Sequence, residues 1–230
     1  MAGAVAGAAL AVPAGGAAAG RTAVKNVPIE DAYRAAFDAL VARIQQHLKK
    51  GASPADGPVR MYVAGGAALH LLTGERVTED VDATFSRRVL IADEMAVSYR
   101  DPDGRARLLY LDRNDNDALG LLHEDAYADS RPVDVPGVDF KVLEVRVLSP
   151  LDLAVSKLAR FGDQDRADIE LLARRGLIDA ASLRSRADEA LRGYVGNIAP
   201  VQASIDIACR IVETLAPRTP APPRATRGRR

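Results

Sequence analysis

Apolar positions recur along this chain in two rhythms, and the change between them marks the elements. Val59 to Ala64 is a short apolar run, which predicts a buried strand. Gly65 and Gly66 follow, and then an apolar segment of helical type, Ala67 to Leu72, which Gly74 stops. From Asp80 the period drops to two. Val81, Ala83 and Phe85 share one face, and Asp80, Asp82 and Thr84 the other. Upstream, Tyr33, Phe37, Leu40, Val41, Ile44 and Leu48 recur at helical spacing and predict a helix over 26–50. Asn26 suits its cap, Pro28 its first turn, and Gly51 its end.

Downstream the pattern predicts a helix over 87–99, with Val89, Leu90, Ala92 and Met95 inward. A short edge-like strand follows over 107–111, then a solvated acidic turn, DRNDND, and a short helix over 119–127. DRNDND lacks the Gly and the distal Glu of a calcium-binding EF-hand loop. Two strands, 131–135 and 140–148, are predicted to pair across Pro136-Gly137. Ser149 then caps a helix with Pro150 at its first position and Asp152 three residues on from the cap. Further helices are expected over 165–175, 179–194 and 200–215. The expected fold is α/β, a small mixed sheet flanked by helices with a helical C-terminal region.

Composition adjusts this picture at the margins. Apolar residues are 48% of the 230, but aromatics are only 4%, so the core must be built mainly from Leu, Val and Ile. Formal charge is zero, which removes any global pull toward nucleic acid or membrane. The single cysteine, Cys209, sits in a helical apolar pattern and reads as a buried structural thiol suited to a reducing, cytoplasmic compartment. Residues 1–25 form an Ala/Gly-rich leader expected to be disordered; no basic residue precedes its apolar part, unlike a signal peptide. Residues 216–230 form a basic tail with the same expectation. The expected division is a 26–148 α/β domain and a 149–215 helical region packed on it.

Two carboxylates two residues apart on a strand point the same way. They repel, and they stay ionised most readily with a divalent cation between them. A glycine pair between strand and helix lets backbone N–H groups approach a phosphate. Asp80 with Asp82, and Gly65 with Gly66, supply both features within one stretch. His70 and His123 have no partner at metal-ligand spacing.

The string GGAALHLLTGERVTEDVDATF resembles the nucleotidyltransferase fold of the DNA polymerase β type. It is similar to the smaller branch of toxin-like nucleotidyltransferases of the AbiEii kind and their uncharacterised relatives. There an Arg-x-Thr-x-Asp-x-Asp run is common, and Arg76, Thr78, Asp80 and Asp82 match it. LSPLDLAVSKLARFGDQDRADI resembles the same relatives' strand, Ser-Pro, and helix with Lys and paired Asp. The resemblance covers residues 58–172.

That resemblance implies a Mg²⁺-dependent enzyme that moves an NMP from an NTP to a hydroxyl of RNA, protein or a small molecule. It also implies a toxin of the toxin–antitoxin type, with a cognate antitoxin as partner. Asp80 and Asp82 would hold the metal, and Gly65, Gly66, Arg76 and Thr78 the nucleotide. Lys157 would offset phosphate charge. A third carboxylate is expected on the strand before Ser149, with Glu144 the first candidate and Asp139 the second. The alternative is a module of the same fold whose third acid is lost and which binds a nucleotide or a partner without turnover. A further alternative is a structural partner with no nucleotide site.

Overall fold

The computed structural model describes residues 29–51, 57–90, 95–112 and 120–215. The leader, the basic tail and positions 113–117 of the DRNDND run lie outside the described residues. The chain opens with α1 (Ile29–Gly51), β1 (Val59–Val63), α2 (Gly65–Thr73) and β2 (Asp80–Phe85). Then come β3 (Ala96–Arg100), β4 (Ala106–Asp112), β5 (Arg131–Pro132) and β6 (Leu143–Val147). Four helices close it: α3 (Pro150–Ser156), α4 (Asp163–Arg174), α5 (Ala180–Leu191) and α6 (Ile198–Leu215).

Six strands make one mixed sheet in the order β3-β4-β2-β1-β6-β5. The central strand β1 runs antiparallel to β2 and parallel to β6. Register places Met61 beside Phe85 and Val145, and Tyr62 beside Thr84 and Arg146. Val59, Met61 and Val63 therefore share one face with Val81, Val145 and Val147, and all of them are buried. α1 packs on β3 and β4, and α2 on β2. Asp80, Asp82 and Thr84 stand on the opposite face, together with Tyr62.

The buried face makes this fold hold. Tyr33, Phe37, Leu40 and Ile44 of α1 are fully or almost fully buried. They join Met61 and Leu153 in one apolar cluster that reaches Ile205 in α6. Truncating a side chain such as Leu40 to Ala would cost about 2–5 kcal/mol. α3 packs against α2 and α5, and α6 against α4 and α5, so the C-terminal helices join the α2 side of the molecule. Ser149 caps α3 as expected: Asp152 N–H donates to Ser149 Oγ at 3.1 Å, and Pro150 holds the first helical position. Cys209 is buried, and burial pushes its thiol pKa up, as befits a packing residue.

Four local expectations change. The stretch expected as a helix over 87–99 holds β3 instead, paired antiparallel to β4 from Ala96–Tyr110 to Arg100–Ala106. Val97 packs inward opposite Leu109, and this long-range pairing overrides the helical spacing of its approach. β4 is not an edge strand, because it lies between β3 and β2. Residues 120–129 are irregular and turn structure, not a helix. The strand expected over 131–135 shortens to Arg131–Pro132, with one further bond to β6 from Val133 N–H to Val145 O at 2.9 Å.

Candidate functional site

The site begins where β1 ends. Ala64 N–H donates to Asp82 O at 2.9 Å and ties the loop to β2. Gly65 then turns with φ of 58°, in the left-handed region, to start α2. A Cβ at Gly65 would lie 1.7 Å from Asp82 Oδ2. The backbone thus passes directly against that carboxylate, and only glycine fits. A Cβ at Gly66 would lie 3.0 Å from Thr78 Cβ. The first N–H groups of α2 have no intrahelical carbonyl to bond, and they carry the positive end of the helix dipole.

The carboxylates come from adjacent parallel strands. Asp82 is registered with Asp112 at the end of β4, and Asp80 with Tyr110. One oxygen from each of Asp80, Asp82 and Asp112 lies within 4.8 Å of the others. Thr78 Oγ1 donates to Asp80 Oδ1 and fixes that side chain. Burial raises the Asp82 pKa above the usual carboxylate value, and the negative charges of Asp80 and Asp112 raise it further. Three clustered carboxylates with mutual repulsion suit a hard divalent ion.

Cations enter from the connection between α3 and α4. Lys157 follows α3 and is buried; its Nζ donates to Asp168 Oδ2 at 2.6 Å and lies 4.0 Å from Asp165 Oδ1. Arg160 makes a two-pronged contact to Asp165 at 2.9 and 2.7 Å. Asp165 also accepts from Gly162 N–H at 3.0 Å. Burial works to raise the Asp165 pKa, but the Arg160 and Gly162 hydrogen bonds outweigh it and hold that pKa below the usual range. Gln164 donates to Asp168 at 2.9 Å. Arg76 Nε is buried, 3.7 Å from Asp168 Oδ1, with no hydrogen-bond partner among the described residues.

A cavity of about 300 Å³ joins the two groups. Asp82, Asp112 and Gly65 line it, and so do Lys157, Arg160 and Asp165. Tyr62 and Tyr127 also line it, their ring centroids 4.7 Å apart. Anion-attracting and cation-attracting groups thus face a single polar hollow, the arrangement needed to hold a metal–polyphosphate complex.

The structure brings together Asp80, Asp82, Gly65, Lys157, Thr78 and Gly66, and sets Arg76 against Asp168. It does not bring in the two expected third carboxylates. Glu144 is registered with Arg60, well down β1 from the Ala64 level at which Asp82 sits. It bonds Arg60 Nε at 3.1 Å and Arg146 Nη1, and these guanidinium contacts hold its pKa low against the smaller pull of burial. Asp139 caps its own turn, accepting from Lys141 N–H at 3.0 Å, and lies outside the carboxylate cluster. The third acid of the cluster is Asp112, at the end of β4 and not on the strand before Ser149 where one was expected. Its signal was present as an acid closing an apolar strand, but it also heads an acidic run that reads as solvated turn.

A family model described as "nucleotidyltransferase of unknown function (DUF6036)" matches residues 39–198, more than two thirds of the chain. The chain belongs to this family. No curated protein and no solved structure matches it significantly. The nucleotidyltransferase match spans β1 to α5 and so contains every residue of the site. Membership implies an NTP substrate, and the triad offers this nucleotidyltransferase a place for a divalent metal. Among the described residues no helix is long and apolar enough to cross a membrane.

Proposed function

We propose that this protein is a Mg²⁺-dependent nucleotidyltransferase that transfers an NMP from an NTP to a hydroxyl. One observation carries the proposal: Asp80, Asp82 and Asp112 cluster beside Gly65, and the cavity that Asp82, Asp112 and Gly65 line is also lined by Lys157 and Arg160. The donor set is all carboxylate, which suits Mg²⁺ better than a softer metal. When bound there, Mg²⁺ would offset triphosphate charge and make the α-phosphorus more electrophilic.

The chain's own residues do the rest. The N-terminus of α2, opened by Gly65, holds phosphate oxygens through backbone N–H groups. Lys157 and Arg160 offset the charge that builds on the departing pyrophosphate. The acceptor oxygen forms a bond to the α-phosphorus as the bond to the bridging oxygen breaks, and pyrophosphate leaves with that electron pair. The acceptor proton passes to Asp112, the triad member on the neighbouring strand. With this third acid present, turnover is favoured over a binding module that has lost it. A toxin role with a cognate antitoxin rests on the Arg76-x-Thr78-x-Asp80-x-Asp82 run alone, and growth arrest on expression, relieved by Asp80→Ala, is its test.

The direct experiment incubates the purified protein with each α-labelled NTP, Mg²⁺ and a cell extract. Label should move to an acceptor, and Asp80→Ala with Asp82→Ala should abolish the transfer. A wild-type protein whose melting temperature does not respond to any NTP with Mg²⁺ would overturn the proposal.

A further inference from the structure

Tyr110 stands on β4 in register with Asp80 of β2, two residues before Asp112. Its chain neighbours Leu109 and Leu111 turn into the core, so Tyr110 points out on the carboxylate face of the sheet. The residue is 41% exposed. The charge of Asp80 does most to raise the pKa of its phenol, and burial and the charges of Asp112, Glu79 and Asp82 add to this. The hydroxyl thus lies in the field of all three triad carboxylates, on their own face and open to solvent.

Tyr110 also flanks the triad on the side from which an attacking oxygen must come. In-line transfer brings that oxygen to the α-phosphorus opposite the leaving pyrophosphate. Gly65, Lys157 and Arg160, which hold the phosphates in the mechanism above, line the cavity together with Tyr62 of β1. β2 lies between β1 and β4, so Tyr110 stands across the triad from Tyr62. Two other hydroxyls near the triad are already engaged. Thr78 Oγ1 donates to Asp80, and Ser156 Oγ donates to Leu153 O at 2.8 Å. The Tyr110 phenol combines the right face, the right flank and free access from solvent.

We infer that Tyr110 is itself an acceptor, and that the protein transfers an NMP to its own Tyr110 hydroxyl within one chain. The inference rests on the nucleotidyltransferase reading above and adds a modification site. The phenol oxygen forms a bond to the α-phosphorus as the bond to the bridging oxygen breaks. Pyrophosphate leaves with that electron pair, and the phenol proton passes to Asp112, two residues along the same face. The product is a phosphodiester between the tyrosine and the nucleoside.

The test incubates the purified full chain, without extract, with Mg²⁺ and each NTP labelled in turn at the α- or the γ-phosphate. The chain should keep α-label after denaturation and take no γ-label, and fragment masses should place one NMP on Tyr110. Asp80→Ala should stay unlabelled even when mixed with the wild type, because transfer runs within one chain. Tyr110→Phe should lose self-labelling, while its melting temperature and its melting shift with NTP stay at wild-type values. The inference is overturned by label on any other residue, by Tyr110→Phe labelling as fast as the wild type, or by label on Asp80→Ala in the mixture. An unlabelled wild type that still labels an acceptor in the extract overturns it as well. A wild type that neither shifts its melting with NTP nor labels the extract would instead remove the nucleotidyltransferase reading itself.

Discussion

Gly65 stands so close to Asp82 that one added carbon would fall 1.7 Å from the carboxylate oxygen. The backbone and the acid occupy a single shared space, so changing either one moves the other. Gly65→Ala also forces φ of 58° on a residue with a side chain, at a cost of about 1–2 kcal/mol before the clash is counted. The variant should lose the Mg²⁺-dependent melting shift with NTP and all transfer. An unaltered shift would show that the α2 entry does not hold phosphate.

Asp112 and Glu144 offer a clean contrast. Asp112 shares the cluster with Asp80 and Asp82, whereas Glu144 is engaged by Arg60 and Arg146. Asp112→Asn should lower kcat by about 10²-fold or more, the scale of a lost general base, with folding intact by circular dichroism. Glu144→Gln should leave transfer near wild type and cost about 0–1 kcal/mol of stability, as partly exposed ion pairs do. The reverse ranking would return the third-acid role to β6.

Proton linkage gives a third expectation. Asp82 has a raised pKa in the folded protein, so its ionised form is disfavoured by folding. Without metal, that group lowers stability as pH rises from the ordinary carboxylate range through its raised value. Asp82→Asn should therefore melt higher than the wild type at neutral pH without Mg²⁺, by roughly 2–4 °C for each kcal/mol recovered. Mg²⁺ should stabilise only the wild type, and its affinity should fall as pH drops through the raised pKa. Asp165 works in the opposite sense: its depressed pKa gives stability present above the ordinary carboxylate range and lost as pH falls through the folded value. Melting scans against pH, with and without Mg²⁺, read both.

Lys157 and Asp168 form a buried pair at 2.6 Å. Removing Asp168 alone leaves the buried ammonium only the 4.0 Å contact with Asp165, and breaking a buried pair in this way costs about 3–5 kcal/mol. Asp168→Asn should destabilise markedly, while Lys157→Met should destabilise less and cut transfer more. Urea unfolding together with label transfer separates the two effects. Equal losses of transfer at matched stability would mean that Lys157 is only a packing cation.

Much of this was legible in the residue pattern, because the central strands alternate cleanly and the closing helices carry caps. Val81 and Asp82 fall on the faces their spacing assigns, and Ser149 caps α3. Ala96–Arg100 was missed because five residues satisfy either period, and pairing with β4 decides between them. Asp112 escaped for a different reason. Its role depends on β4 lying parallel beside β2 in one register, and strand neighbours cannot be read from a single chain. Glu144 was sought on the wrong strand, since β6 lies on the far side of β1 from β2 and its pairing sets Glu144 opposite Arg60.

The carboxylates lie on β2 and β4, and the cations follow at Lys157 and Arg160. During synthesis the acidic half leaves the ribosome first, before Lys157 and Arg160 are made. A nascent chain that has emerged only as far as β6 holds an electrostatically incomplete pocket, and release of α3 and α4 arms it. The order of the elements thereby delays the pocket's charge balance until the segment from α3 to α4 has emerged.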